Sequence, residues 1–473
     1  MNKKMITIFL LLAVFSFAAA FENSVIRLPQ FQDKTEEPLS AYALTGNPAA
    51  ALCPENLQIL RIGTAFSALG YRRAYDPAAT RLYRADFTTL RRIDDRSFFS
   101  TNISYDEYRQ RDIFASMEKD FYDDYFSMID STLGNTAYYG PRLQILYNIR
   151  LTNRLFFGVE ADYGVERSLK DTFPQTITIM RNSHYRAGFE YRGQRSALGI
   201  FGRYYDDQTH YEAVKQYSEV ETKTYYGYNV YYNELATSTA KKRRTRNGLE
   251  YGAHAGFGTG TPLSLDLSVS GLHRISRADL LRGSYTRERG LWQRQGVHLT
   301  GNLNWYPEEG PAAVRVYADY LAFEDWGKSL ISNALVIENE EVRSRFGAML
   351  VYRPSLAQQA YAGAEGGTVS YDYREYVFPF ADVRGGFEWK FYAGAGIYLG
   401  AKTRTTFSLG YEKEIPRFYW NTTDFENIEV IINLEQLFSF GYINLSFEYI
   451  SKKPANDLRT VESVAFGLSI RRK

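Results

Sequence analysis

Residues 142–164 read RLQILYNIRLTNRLFFGVEADYG. In the first half Leu143, Ile145, Tyr147 and Ile149 alternate with Arg142, Gln144, Asn148 and Arg150. After the turn at Leu151-Thr152-Asn153, Leu155, Phe157, Val159, Ala161 and Tyr163 alternate with Gly158, Glu160, Asp162 and Gly164. Successive side chains of a strand point to opposite faces, so this spacing predicts a hairpin with one apolar face and one polar face.

The unit recurs along the chain. Tyr185, Ala187, Phe189 and Tyr191 alternate with Arg186, Gly188, Glu190 and Arg192, with a turn at Gly193-Gln194-Arg195. Leu249 to Phe257 and Leu263 to Val269 flank a turn at 258–262, and Val297 to Trp305 and Val314 to Tyr320 flank another at 307–311. Ile443 to Tyr449 and Val464 to Ile470 complete the series. Short turns near 151–154, 193–195, 258–262, 307–311, 353–358 and 400–403 are separated by longer polar segments at 167–182, 207–246, 275–292, 324–342 and 373–386. Strands long enough to cross a bilayer on a tilt, joined by alternating short and long connections, indicate an all-β transmembrane antiparallel barrel rather than a soluble sandwich. Hydrocarbon offers no hydrogen-bond partner to a free sheet edge, so the sheet must close. The count predicts about 16 strands, within 14–18, with short periplasmic turns and long extracellular loops. Residues 81–90 and 97–105 are the ambiguous strands, and 224–232 is either a loop hairpin or a strand pair.

Composition agrees. Aromatic residues make up 16%, with 39 Tyr and 31 Phe, as two interfacial girdles require. The formal charge of +2 gives no global basic field, which argues against nucleic acid as a partner. Residues 1–20 carry Lys3 and Lys4, an apolar run and Ala18-Ala19-Ala20, the pattern of a secretory signal peptide. Residues 21–57 lack alternation and form an N-terminal arm or candidate plug, and residues 58–473 form the barrel. Cys53 is the single cysteine, so no intrachain disulfide or cysteine-clustered metal site forms.

Nothing resembles a catalytic or cofactor motif. His184, His210, His254, His273 and His298 show no metal-ligand spacing. Gly256-Phe257-Gly258-Thr259-Gly260 precedes a strand and lacks the Lys-Ser/Thr ending of a phosphate loop, so it reads as a turn. No catalytic, cofactor or metal residue is expected. The run Lys241-Lys242-Arg243-Arg244-Thr245-Arg246 falls in an expected external loop, solvated or facing lipopolysaccharide phosphate. The expected lumen-lining set is Arg142, Arg150, Glu160, Asp162, Arg186, Glu190, Arg192 and Arg203. Gly188 and Gly193 suggest room for water beside Arg186, Glu190 and Arg192.

The signal peptide, aromatic hairpins and length resemble outer-membrane barrels of the Bacteroidota kind. The stretch from Tyr122-Asp123-Asp124-Tyr125 through Asp130-Ser131 and on to 142–191 is similar to a segment of one such uncharacterised family. A second resemblance is to long-chain fatty-acid transporter barrels, carried by Asn47-Pro48-Ala49 followed by Ala50-Ala51-Leu52, without that element's glycine. It implies a plug inside the barrel. The expected function is a channel or transporter for small or hydrophobic solutes; the alternatives are a non-conducting surface scaffold or adhesin, and an embedded hydrolase. Expected partners are outer-membrane lipid and lipopolysaccharide, the barrel-assembly machinery, and a small-molecule or lipid substrate.

Overall fold

The computed structural model describes residues 46–51, 56–119, 126–172, 175–214, 220–225, 231–236, 239–258, 261–282, 285–307, 310–355, 358–399, 402–415, 424–439, 441–455 and 459–472. The signal-peptide segment, most of the N-terminal arm and Tyr122–Tyr125 lie outside these residues.

The first strands are β1 (Leu57–Leu69), β2 (Ala79–Arg92), β3 (Ser97–Ser116) and β4 (Met128–Arg150). Next come β5 (Leu155–Lys170), β6 (Gln175–Arg192) and β7 (Ser196–Val214). A short hairpin follows, β8 (Val220–Tyr225) and β9 (Tyr231–Ala236). The wall resumes with β10 (Thr239–Phe257), β11 (Leu263–Arg282), β12 (Tyr285–Trp305) and β13 (Ala312–Ser329). It continues through β14 (Ala334–Ser355), β15 (Gln358–Glu375), β16 (Phe380–Tyr398) and β17 (Thr403–Glu414). It ends with β18 (Phe425–Phe438), β19 (Gly441–Pro454) and β20 (Val461–Arg472).

Each wall strand pairs antiparallel with its neighbours, β7 pairs directly with β10, and β1 pairs with β20 to close the circle. The barrel has 18 strands, the top of the expected range, and both ambiguous segments are strands. The ambiguous 224–232 stretch belongs to the β8–β9 hairpin, which sits between β7 and β10 and touches the start of β4.

The outward faces carry two aromatic bands. Beside the tight turns stand Tyr191, Phe257, Trp305, Tyr352 and Tyr398. Toward the other end stand Tyr105, Tyr163, Tyr185, Tyr204, Tyr320 and Tyr411, with exposed aliphatic residues such as Ile200, Leu267 and Leu299 between the bands. Aromatic girdles flanking an aliphatic band mark a lipid-facing wall. The chain is therefore a membrane-spanning β-barrel.

The polar segments expected as long external loops are mostly strand. Leu169 still pairs with Ile177, and Arg282 with Tyr285, so the connections there are only residues 171–174 and 283–284. Beyond the outer girdle the outward face meets water and becomes charged, so both faces turn polar while the ladder continues. The basic run 241–246 is accordingly not a loop but part of β10. Its odd positions point out, where Lys241 meets Glu212 and Arg243 meets Asp279. Its even positions point in, where Lys242 donates to Thr224 and Arg244 lies 3.3 Å from Glu118.

At this outer end, segments fold inward across the lumen. Glu118 accepts from the Met128 amide and the Tyr211 hydroxyl. Phe126 packs with Ala278, Trp292, Ile337 and Tyr373, residues of the opposite wall. Lys170 and Asp130 pair at 2.8 Å with both side chains fully buried.

Candidate functional site: the lumen and its inner element

At the inner end of the lumen, residues 47–51 form a single turn against the wall. Asn47 caps it, its Oδ1 accepting from the Ala49 amide at 2.9 Å, and Pro48 occupies the first helical position, where its missing N–H costs nothing. Gly46, at φ +69°, turns the chain into this position over the Phe201 ring.

The wall receives this turn through polar side chains of distant strands. Asn47 Nδ2 donates to the Phe189 carbonyl at 2.9 Å. Asn148 Nδ2 lies 3.0 Å from the Pro48 carbonyl and 2.9 Å from that of Ala49, and Arg192 donates to Ala49 O at 2.9 Å. Three wall glycines make room. A Cβ on Gly158 would stand 2.3 Å from the Pro48 carbonyl carbon, one on Gly188 2.1 Å from Asn47 Oδ1, and one on Gly199 2.6 Å from Asn47 Nδ2. Leu146, an apolar residue on the polar face of β4, packs with Ala51 and Phe98 under the same turn.

The register places all eight expected lumenal residues on the face opposite Ile145, Phe157, Ala187 and Ile200. Seven of them join two ion-pair chains and the latch around Glu190. Arg142 Nε donates to Asp162 at 2.8 Å, Asp162 lies 3.6 Å from His184, and His184 Nε2 lies 2.8 Å from Asp207. Arg203 continues to Glu250 at 3.8 Å. Arg186 and Gln144 meet Glu160, at 3.6 and 2.9 Å. Glu190 is held between Arg192 and His254 Nε2, the latter at 3.0 Å. Arg150 stands at the inner end of the same face and makes no ion pair or side-chain hydrogen bond among the described residues.

The expectation of water around Glu190 is corrected: the residue is 4% exposed. The space beside Gly188 is taken by Asn47, and Gly193 lies in the turn against Ser196. Among the described residues no serine hydroxyl hydrogen-bonds His184, His254 or His298; each histidine faces a carboxylate instead.

A second lumenal sector, on β13–β19, was missed by the sequence reading. Arg345 meets Glu388 at 2.9 Å, Lys390 meets Glu429 at 3.2 Å and Glu412 at 3.5 Å, and Glu365 is paired opposite Lys390 in the ladder. Tyr317, Tyr392 and Tyr361 lie over Gly347, Gly363 and Gly394 of adjacent strands. The available signal was a charged residue at alternate positions opposite alanines and aromatics, as in Ala364-Glu365-Gly366 and Trp389-Lys390-Phe391.

Solved barrels similar to this chain include the copper transporter OprC, with TM-score 0.46 and 8% identity over 88% of this chain and 80% of that chain. The ferric preacinetobactin receptor BauA from Acinetobacter baumannii has TM-score 0.42 and 7% identity over 88% and 80%. The P. putida toluene transporter TodX has TM-score 0.32 and 9% identity over 91% and 93%. At such values nothing about ligand or mechanism passes from them to this chain. No curated protein matches the sequence. A family model matches residues 48–470, from the inner turn to the last strand, and the chain belongs to that family, described as a family of unknown function (DUF6850).

Proposed function

We propose that this barrel is a channel or transporter for small or hydrophobic solutes, regulated at its inner end by the turn at 47–51. The observation that carries this reading is the fit of that turn to the wall. Three glycines, Asn148 and Arg192 from four strands serve a segment that contributes no strand of its own. A barrel of 18 strands encloses more space than its own side chains fill, so an inner element has something to control. On the sequence resemblance we also take its source to be of the Bacteroidota kind.

The test is Gly158→Val in planar bilayers, since the three atoms nearest the added Cβ all belong to Pro48 and Ala49 of the turn. Conductance above that of the unaltered protein supports the reading. A second reading, a non-conducting scaffold or adhesin, is favoured by the fully buried Lys170–Asp130 pair and the Phe126 cluster at the outer end. Silence that persists, with intact folding, when the outer Phe126 cluster is opened as well decides for it.

A further inference from the structure

The outward wall of β5, β6, β7 and β10 is concave. A groove of about 600 Å³ opens there toward the bilayer. Its floor is Ala161, Ala187 and Gly202, and its walls include Tyr185, Tyr204 and Tyr251. The ladder fixes this shape: Val159, Ala187, Gly202 and Tyr251 are direct cross-strand neighbours, as are Ala161, Tyr185 and Tyr204 in the next row. Below the floor, Phe157 and Phe189 pack at 4.8 Å and close the inner side.

Gly202 separates this groove from ordinary wall packing. A Cβ there would meet nothing nearer than the Glu250 carbonyl at 4.0 Å. Neither a close contact nor a left-handed backbone requires glycine, and glycine inside a strand is unfavourable. Its one structural effect is the hollow. The hydroxyls of Tyr185, Tyr204 and Tyr251 have no hydrogen-bond partner among the described residues. A phenol at the membrane boundary ordinarily finds one.

We propose that this groove holds a single hydrocarbon chain of a membrane lipid, its ester end at the tyrosine rim. The groove is continuous with the lipid-facing wall and lies from mid-wall to the outer girdle, so its occupant comes from the bilayer. Lipid tails are as apolar as the wall, and transfer from water supplies no drive. Selectivity for this position comes from dispersion contact on several sides of the chain and from donation by the tyrosine hydroxyls to the ester carbonyls.

The experiment uses the full chain in detergent, titrated with a long-chain phosphatidylethanolamine and read by native mass spectrometry. Gly202→Leu and Ala187→Leu fill the groove without a backbone clash at Gly202. Ala322→Leu, on the outward face between Val297 and Val342, is the control. Affinity for the first phospholipid should fall about tenfold in the two groove variants and stay unchanged in the control. Melting temperatures at or above the parent's show that the fold is kept. Equal binding by all four proteins, or equal loss in the control, overturns the proposal. Retention of added dodecane without phospholipid overturns it as well. The readout is occupancy and not flux, so its failure is separable from failure of the transport reading.

Discussion

Val159 and Glu160 are neighbours on β5 that meet different surroundings. Val159 points to lipid midway between the inner turn and Tyr163, while Glu160 points into the lumen toward Arg186. An arginine at Val159 should cost about 2–4 kcal/mol, and one at Leu155, near the inner interface, at most about 1. Urea unfolding from vesicles measures both; equal costs would contradict the membrane placement. Within the lumen, the weight of a charge follows its burial. Glu190→Gln leaves Arg192 and His254 without their anion, and should destabilise by about 3 kcal/mol, the low end for a broken buried pair, because Arg192 keeps the Ala49 carbonyl. Arg142 is 49% exposed, and its buried partner Asp162 keeps His184 at 3.6 Å, so Arg142→Gln should cost about 1–2 kcal/mol, less than Glu190→Gln. Thermal melts of the two variants test the contrast. Asp94, in the short turn between β2 and β3, accepts from the Arg96 and Ser97 amides and the Ser97 hydroxyl, which hold its carboxyl below the usual carboxylate range. A group with a depressed folded pKa stabilises above its unfolded value and loses that contribution as pH falls through the folded one. The melting difference between parent and Asp94→Ala should therefore be constant at neutral pH, begin to shrink near pH 3.8 and vanish only below the lower folded value.

Strands were legible where one face met lipid and the other water, because only there does polarity alternate. Residues 142–163 and 185–192 meet that condition, and their lumenal faces followed from the same period. Above the outer girdle it fails. Arg243 and Arg244 face opposite sides of β10, yet both are charged, so the sequence looked like a loop. The inner turn was legible as Asn47-Pro48-Ala49, but its receptors were not. Gly158, Gly188 and Asn148 looked like members of a polar face, and what distinguishes them is an approach from a segment about a hundred residues away. The outer extension is where a buried ion pair appears. Lys170 also donates to the Thr132 carbonyl, at 2.6 Å, and joins β5 to β4. Lys170→Met alone strands Asp130 and should cost about 3–5 kcal/mol. The double variant Lys170→Met with Asp130→Leu should recover most of that loss. A double-mutant cycle read by denaturant unfolding gives the coupling, and additive losses would mean that the pair is not what holds these strands.

At the scale of the whole barrel, the two inward-folded regions act in series, and a path conducts only as well as its narrowest section. The turn at 47–51 occupies the inner end, and Phe126 with its cluster spans the outer end. Deleting residues 22–51 keeps β1, which begins at Leu57, and so leaves the β1–β20 seam intact. The freed Asn148 and Arg192 become hydrated, which costs little, and the barrel should still assemble. If the inner turn is the narrowest section, this deletion raises single-channel conductance by itself. If the outer cluster limits flow, the deletion stays silent until Phe126→Asp is added, because a carboxylate among Trp292, Ile337 and Tyr373 is driven out toward water. The order in which conductance appears across the two single variants and the double identifies the controlling end. A silent double variant that melts cooperatively would show a barrel held shut by its wall ion pairs, and the transport reading would give way to the scaffold.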